Sequence, residues 1–312
     1  MFTFDRATVD GTGAFLIGEL ERLDQELNMP LVGYTWSRDI QLREDVSIAD
    51  DISSFTNSTF AASGTPNPSG KNWIGKDSTA IAQPNIDIAK TGFPLTLWGM
   101  ELGWTVIELA AAAKVGRPID TQKYDAMQLK WNMDTDEQVY RGDSQLGVKG
   151  LFNYGGASVT NAVKKWADST NAEILDSINA LLTNAWKASG YTLVPRDLRL
   201  PPKAFALLAQ RIVSEAGNQS LLSYLQTNTI AFHQNGVPLS IYAVKWLEGA
   251  GVGGTDRMVA YTNDKKYVRF PMVPLLSVPI QYDGIWQKTT YYGKLGAVES
   301  PYPETMAYLD GI

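Results

Sequence analysis

Few residues in this chain have the types and spacing that chemistry requires. His233 is the only histidine, so a catalytic triad or a multi-histidine metal site would have to be built around it alone. No GxSxG or comparable nucleophile signature accompanies it. Cysteine is absent, which removes disulfides, thiolate catalysis, Cys-based zinc sites and iron–sulfur clusters together. The run Gly249-Ala-Gly251-Val-Gly-Gly254 matches GxGxxG and follows a strand-like stretch. Yet Thr255–Tyr261 reads as another strand, not the helix whose N-terminus would hold a pyrophosphate, so the run is expected to be a turn. Asp134, Asp136 and Glu137 offer the paired carboxylates of glycosidic chemistry, but no cleft signal surrounds them and a solvated acidic turn is the plainer reading. Arg141-Gly142-Asp143 is a triplet common by chance. These observations predict no catalytic residues, no cofactor and no metal.

Composition points instead to surfaces. Charged residues make up only 19% of the 312-residue chain, while nine Trp and fourteen Tyr supply amphipathic ring surface. Interfaces favour aromatics and deplete Lys and Glu. The net charge of −6 argues against a dedicated nucleic-acid binder, which needs a concentrated Lys/Arg surface to displace counterions. The first residues lack a basic segment followed by an apolar one, and no stretch of about 18 uninterrupted apolar residues occurs. Neither secretion by that route nor a membrane span is expected, and the sequon at Asn57 is read as accidental.

The elements that would carry these residues follow from periodicity. Residues 1 to about 30 read as an arm with one helical apolar patch at Phe15, Leu16, Leu20 and Leu23, and 31–46 as extended chain. From 47 to 92 the composition shifts to Ser, Thr, Asn, Gly and Pro, with SGTPNPSG at 63–70 as a turn, which predicts a long two-stranded extension. This segment is too polar to pack its own core, yet it holds Phe55, Phe60, Trp73 and Ile74, which would stand exposed in a single chain. The return strand continues through Phe93, Leu95 and Leu97.

Helical spacing at Leu102, Val106, Leu109 and Ala113 predicts one helix, and a longer one is expected from about 120 to 140, broken by Gly142. Thr170-Asn-Ala-Glu173 is a capping box that opens a third helix closed by Gly190. The stretch 198–217 reads as a strand end, a Pro-initiated helix and a Gly stop, followed by a short helix near 219–228. Strands are expected within 237–247, 257–263 and 266–276. The fold class is α+β.

The order of arm, long hairpin, long helix, glycine-rich exit and mixed domain resembles the major capsid proteins of tailed bacteriophages with the Hong Kong 97-type fold. RGDSQLGVKGLFN at 141–153 resembles that family's turn after the spine helix, and LRLPPKAFALLA at 198–209 is similar to its strand-into-helix segment in the axial domain. GTDRMVAY at 254–261 and GAVESPYPETMAYLDGI at 296–312 are similar to its closing segments. The resemblance implies an arm and lead-in at 1–46, an extended loop at 47–92, a peripheral domain at 93–165 with its spine helix near 120–140, an axial domain at 166–275, and C-terminal strands at 276–312.

By that resemblance the protein is not an enzyme but an icosahedral shell subunit, assembled in the host cytoplasm and residing in the virion. Its partners would be copies of itself in hexamers and pentamers, with scaffold, portal and decoration proteins as further candidates, weak non-specific contact with packaged double-stranded DNA, and no membrane. Gly142, Gly147 and Gly150 would form a structural joint, and Phe55, Phe60, Trp73 and Ile74 a subunit interface. The short arm favours a separate scaffold protein, or none. Lys71 and Lys76 are the candidates for a Lys–Asn crosslink, without a matching motif. An encapsulin-type compartment shell and an enzyme of unknown class are the alternatives.

Overall fold

A computed structural model describes residues 32–62, 76, 84–115, 119–214 and 219–312. In chain order the helices are α1 (Trp36–Asp39), α2 (Val106–Val115), α3 (Ile119–Tyr140), α4 (Asn171–Ala188), α5 (Pro202–Gln210), α6 (Leu221–Asn228) and α7 (Ile230–Asn235). The strands are β1 (Gln41–Arg43), β2 (Ile52–Ala62), β3 (Pro84–Pro94), β4 (Thr96–Thr105), β5 (Ser158–Asn161), β6 (Asp197–Leu200), β7 (Ile212–Ser214), β8 (Gln219–Ser220), β9 (Ser240–Ala243), β10 (Arg257–Tyr261), β11 (Arg269–Ser277), β12 (Gln281–Asp283), β13 (Trp286–Leu295) and β14 (Ala307–Asp310). Among the described residues, a smaller unit holds 32–33, 100–131 and 278–290, and a larger one holds 34–99, 132–277 and 291–312.

The core of the larger unit is a mixed sheet, in the order β5-β14-β10-β6-β9, covered by helices. β14 lies parallel to β5 and antiparallel to β10; β6 lies antiparallel to β10 and parallel to β9. Alternation along the strands sends Leu198 and Leu200, Met258 and Ala260, and Ala307 and Leu309 to one face. There they meet Ile174, Ile178, Leu181, Leu182 and Ala185 of α4, with Leu208, Leu221 and Leu225 from α5 and α6. The α4 stripe recurs at helical spacing, and its start is the reciprocal cap read from the sequence: Glu173 N–H donates to Thr170 Oγ1, and Thr170 N–H donates to Glu173 Oε2 at 2.6 Å. Gly190 closes the helix with φ +64.

The opposite face of the sheet is also buried, but it is polar. Arg199, Arg257, Tyr261, Tyr308 and Asp310 lie there, all with little or no exposure. Arg257 donates through Nε and Nη2 to the two oxygens of Asp310, at 2.6 and 2.8 Å, and through Nη1 to the Phe152 carbonyl at 2.7 Å. Burial alone would raise the Asp310 carboxyl, but hydrogen bonds from Arg257 and from the Val252 amide, with the Arg257 charge, outweigh it and hold the pKa below its ordinary value.

The long extension is a two-stranded ribbon, with β2 and β3 paired in register from Ile52 and Pro94 out to Ala62 and Pro84. A second sheet runs β1-β11-β13-β12, with β4 also paired to β13. In the smaller unit, β12 and the start of β13 form a hairpin, and the Val106 N–H donates to the Ile285 carbonyl where β4 passes into α2.

Four expectations need correction. Leu102 is not helical: it lies in β4, whose later residues alternate in burial, and helix begins only at Val106. The pattern Leu102–Trp104 suits a strand face, so steps of four and three beginning at Leu102 joined two elements. The helix expected to run towards Gly217 ends at Gln210. Arg211 turns out of it to give its guanidinium to the carbonyls of Trp166, Ala167 and Ser169, and the β-branched Ile212-Val213 continues as strand. The acidic group at 134–137 is no solvated turn but lies on α3, with Asp136 buried. Phe55, expected to stand bare in one chain, is only 9% exposed; it stacks on Phe93 at 6.2 Å and lies under the Arg269 guanidinium. Trp73, Ile74, Lys71, the 63–70 turn, the helical patch of the arm and the Phe60 side chain lie outside the described residues, while Lys76 is exposed.

Asp310→Asn is expected to leave Arg257 buried without its charge partner, costing on the order of 3–5 kcal/mol at neutral pH. A carboxylate with a depressed folded-state pKa contributes stability above its unfolded value, near 3.9, and loses it as pH falls through the folded value. The gap between wild type and variant should therefore be widest at pH 7 and close below about pH 4, as urea unfolding at the two pH values would measure.

Candidate functional site

The C-terminal turns of α3 and the loop that leaves them collect most of the residues singled out in the sequence. Asp136 is buried and fully satisfied: Oδ1 accepts from the amides of Thr35 and Trp36, at 2.7 and 3.0 Å, and Oδ2 accepts from Trp246 Nε1 at 2.6 Å. A buried carboxylate is tolerable only with such donors. Here they cap the first turn of α1 and fix the lead-in chain to the end of the long helix. Asp134 accepts from Trp98 Nε1 at 2.9 Å, and Glu137 is exposed.

One helical turn further on, the Tyr140 hydroxyl donates to Asp39 Oδ2 at 2.5 Å and shares a hydrogen bond with Thr35 Oγ1. Burial first, and then the Asp39 charge, raise the Tyr140 hydroxyl far above its ordinary pKa, so it serves as a permanent donor. Asp39 also receives Arg199 Nε at 2.8 Å, Arg38 through two nitrogens, and, on its backbone carbonyl, the Tyr261 hydroxyl.

The chain then reverses. Gly142 adopts φ +70 and returns its N–H to the carbonyls of Glu137 and Gln138, a left-handed helix ending. Asp143 accepts from the Gln145 amide, and its carbonyl accepts from Val148. Leu151 and Phe152 donate back to the carbonyls of Val139 and Tyr140, and Asn153 bridges Gly150 N–H to the Arg141 carbonyl.

The three glycines differ in what they permit. A Cβ on Gly142 would sit 2.3 Å from the Val148 carbonyl oxygen, on top of its positive φ; one on Gly150 would sit 2.5 Å from the Tyr140 carbonyl; one on Gly147, φ +67, would meet nothing. RGD is therefore a helix-ending turn, with Arg141 lying over the Trp246 ring.

A cleft of about 540 Å³ is lined by Trp98, Asp134, Glu137, Gln138, Arg141 and Asp143 among others. Asp134 and Asp143 already hold donors within it. Among the described residues no group of three His, Asp or Glu could hold a metal, and no helix is long and apolar enough to cross a membrane. Gly249–Gly254 forms a turn with left-handed glycines at 249, 253 and 254 and enters strand β10, while His233 is exposed on α7.

Sequence reasoning missed the buried charges Asp39, Arg199, Arg257, Glu299 and Asp310. The signal for two of them was present: Arg199 interrupts the apolar strand Leu-Arg-Leu, and Arg257 opens Arg-Met-Val-Ala-Tyr.

The sequence model of the major capsid protein family matches residues 70–312. The chain belongs to the major capsid protein family. No curated protein sequence matches it. Among solved structures, the capsid of Myoviridae phage XM1 matches with a TM-score of 0.78 at 19% identity, over 95% of this chain and 98% of that one. A Mycobacterium phage Adephagia chain matches with a TM-score of 0.63 at 10% identity, over 100% and 99%. The capsid protein thus has the Hong Kong 97-type fold of tailed-phage capsids and is a structural shell subunit; the encapsulin alternative is not favoured.

Gly142→Ala and Gly150→Ala are expected to abolish folded yield, since each sets a Cβ against backbone that cannot give. Gly147→Ala meets only the left-handed backbone cost, on the order of 1–2 kcal/mol, and should remain folded. Soluble yield of the three variants, with thermal unfolding of the Gly147→Ala protein, separates these outcomes.

Proposed function

We propose that the capsid protein builds an icosahedral tailed-phage head from hexamers and pentamers that enclose double-stranded DNA, assembling in the host cytoplasm. The family match across 70–312 carries this reading. Within it, residues 93–165 act as the peripheral domain with α3 as its spine, 166–275 as the axial domain, 276–312 as returning strands, and the Gly142–Gly150 turn as the joint after the spine helix. Scaffold, portal and decoration proteins remain candidate partners. Function then lies in interfaces, in keeping with a site whose acids are occupied by structural donors. The net charge of −6 supports contact with packaged DNA that is weak and non-specific.

The β2–β3 ribbon is the intersubunit element. Its paired stretch is 11 residues long in each strand, roughly 36 Å of reach at strand rise. From Ser58 outward, and along residues 85–92, every described side chain is exposed, Ile86 and Ile88 at 67% each. Apolar groups on so thin a ribbon gain cover only from another surface.

Replacing residues 59–87 by Asn-Gly joins Ser58 to Ile88, which are partners across the ribbon, with a two-residue hairpin turn. This keeps the buried residues at the ribbon's base. The expected product unfolds cooperatively like wild type and forms no closed shells under negative-stain microscopy. Normal particles from this variant would remove the ribbon from the assembly mechanism.

A further inference from the structure

The base of the ribbon converges on one buried side chain outside the joint. Glu299 is 0% exposed. Its Oε1 accepts from Ser53 Oγ of β2 at 2.5 Å, both oxygens accept from Arg43 Nη1 at the end of β1, and Oε2 accepts from Arg269 Nε of β11 at 2.8 Å. Its backbone is fixed as well, exchanging both hydrogen bonds with Arg269. Arg43 Nη1 also donates to Ser53 Oγ and to the Ser54 carbonyl, and its remaining nitrogens are held by Asp45.

Around this centre the ribbon is tied at three more points. Phe55 packs between Phe93 and the Arg269 guanidinium, Asn57 Nδ2 donates to the Pro301 carbonyl at 3.0 Å, and Lys294 Nζ donates to the Asp50 carbonyl at 2.7 Å. Beyond Asn57, Ser58 and Thr59 are exposed, as are residues 85–92. The ribbon thus divides into a root at 53–57, where Ser53 and Phe55 are buried, and a bare blade.

We infer that Glu299 is a positioning residue: its carboxylate, bonded at once to β2, to Arg43 of β1 and to Arg269 of β11, fixes the direction in which the ribbon leaves the body. An apolar root alone would hold the ribbon down without fixing its angle, because dispersion and hydrophobic burial are non-directional. Charge-assisted bonds are directional and stronger than neutral ones. Three segments bonded to one carboxylate leave the root a single geometry, and a small angular error there is magnified along the blade.

The chain contains no cysteine, so two can be introduced for spin labels without competition. Ile88→Cys on the blade and Lys203→Cys on exposed α5, diluted into unlabelled protein, report a distance within one chain. The distance is read on subunits kept unassembled, where no neighbour holds the blade. A single narrow distance distribution is expected. Ser53→Ala with Arg43→Met removes the ribbon's bonds to Glu299 while leaving Glu299 paired with Arg269. It should turn that distribution broad with little change in the thermal midpoint of the body, and Ser53→Ala alone should broaden it partly. A broad distribution in the labelled parent, or an unchanged narrow one in either clamp variant, overturns the inference.

Discussion

Two arginines buried on the polar face of the main sheet dictate much of the surrounding structure. Arg199 and Arg257 occupy strand positions whose neighbours face an apolar core, so the same alternation that builds the core drives a guanidinium into the interior at each site. A buried cation without a partner is far costlier than any single packing contact. Each therefore needs a carboxylate brought to it, and the chain supplies one from a remote segment: Asp39, lying 160 residues before Arg199, and Asp310, on the adjacent strand β14. Placing Asp39 draws the lead-in chain under the sheet, where the hydroxyls of Tyr140 and Tyr261 close around it. Placing Asp310 fixes the last strand, while the third arm of Arg257 holds the Phe152 carbonyl just after the helix-ending turn.

The same logic recurs at Asp136 and Glu299. Each is a buried carboxylate that gathers donors from chain segments far apart in sequence, Asp136 from residues 35, 36 and 246 and Glu299 from residues 43, 53 and 269. These are the places where an extended piece of chain must be attached to a packed one. At both, the carboxylate is occupied in holding segments together.

The fold was legible where local rules decide structure. The capping box at Thr170, the left-handed Gly142 and Gly190, the long helix to Tyr140 and the proline-led helix at 202 all follow from residue type and spacing within one turn of chain. Legibility failed where distant contacts decide. Leu102 fits a helix by periodicity, but its run is recruited as a strand by β13; Arg211 ends its helix because carbonyls more than 40 residues earlier accept its guanidinium. The acids at 134–137 looked solvated because nothing near them in sequence reveals Trp98 or Trp246 as donors. Phe55 looked bare because its cover, Arg269, is contributed from the other end of the chain.

Why use ions for these attachments, when apolar side chains of similar volume would often be as stable or more so? Stability and direction are separate requirements. The helix-covered face of the sheet needs cohesion only, and it is filled with Leu, Ile, Met and Ala, whose contacts tolerate small shifts. The lead-in, the last strand and the ribbon each have to leave or meet the body at one angle. At each of these a carboxylate accepts several donors whose geometry cannot relax together: three at Asp136, three at Glu299, and at Asp310 both Arg257 nitrogens with the Val252 amide. In a closed shell an angular error in one subunit is repeated in every copy, so the segments that carry contacts outward are those for which directional bonding matters most.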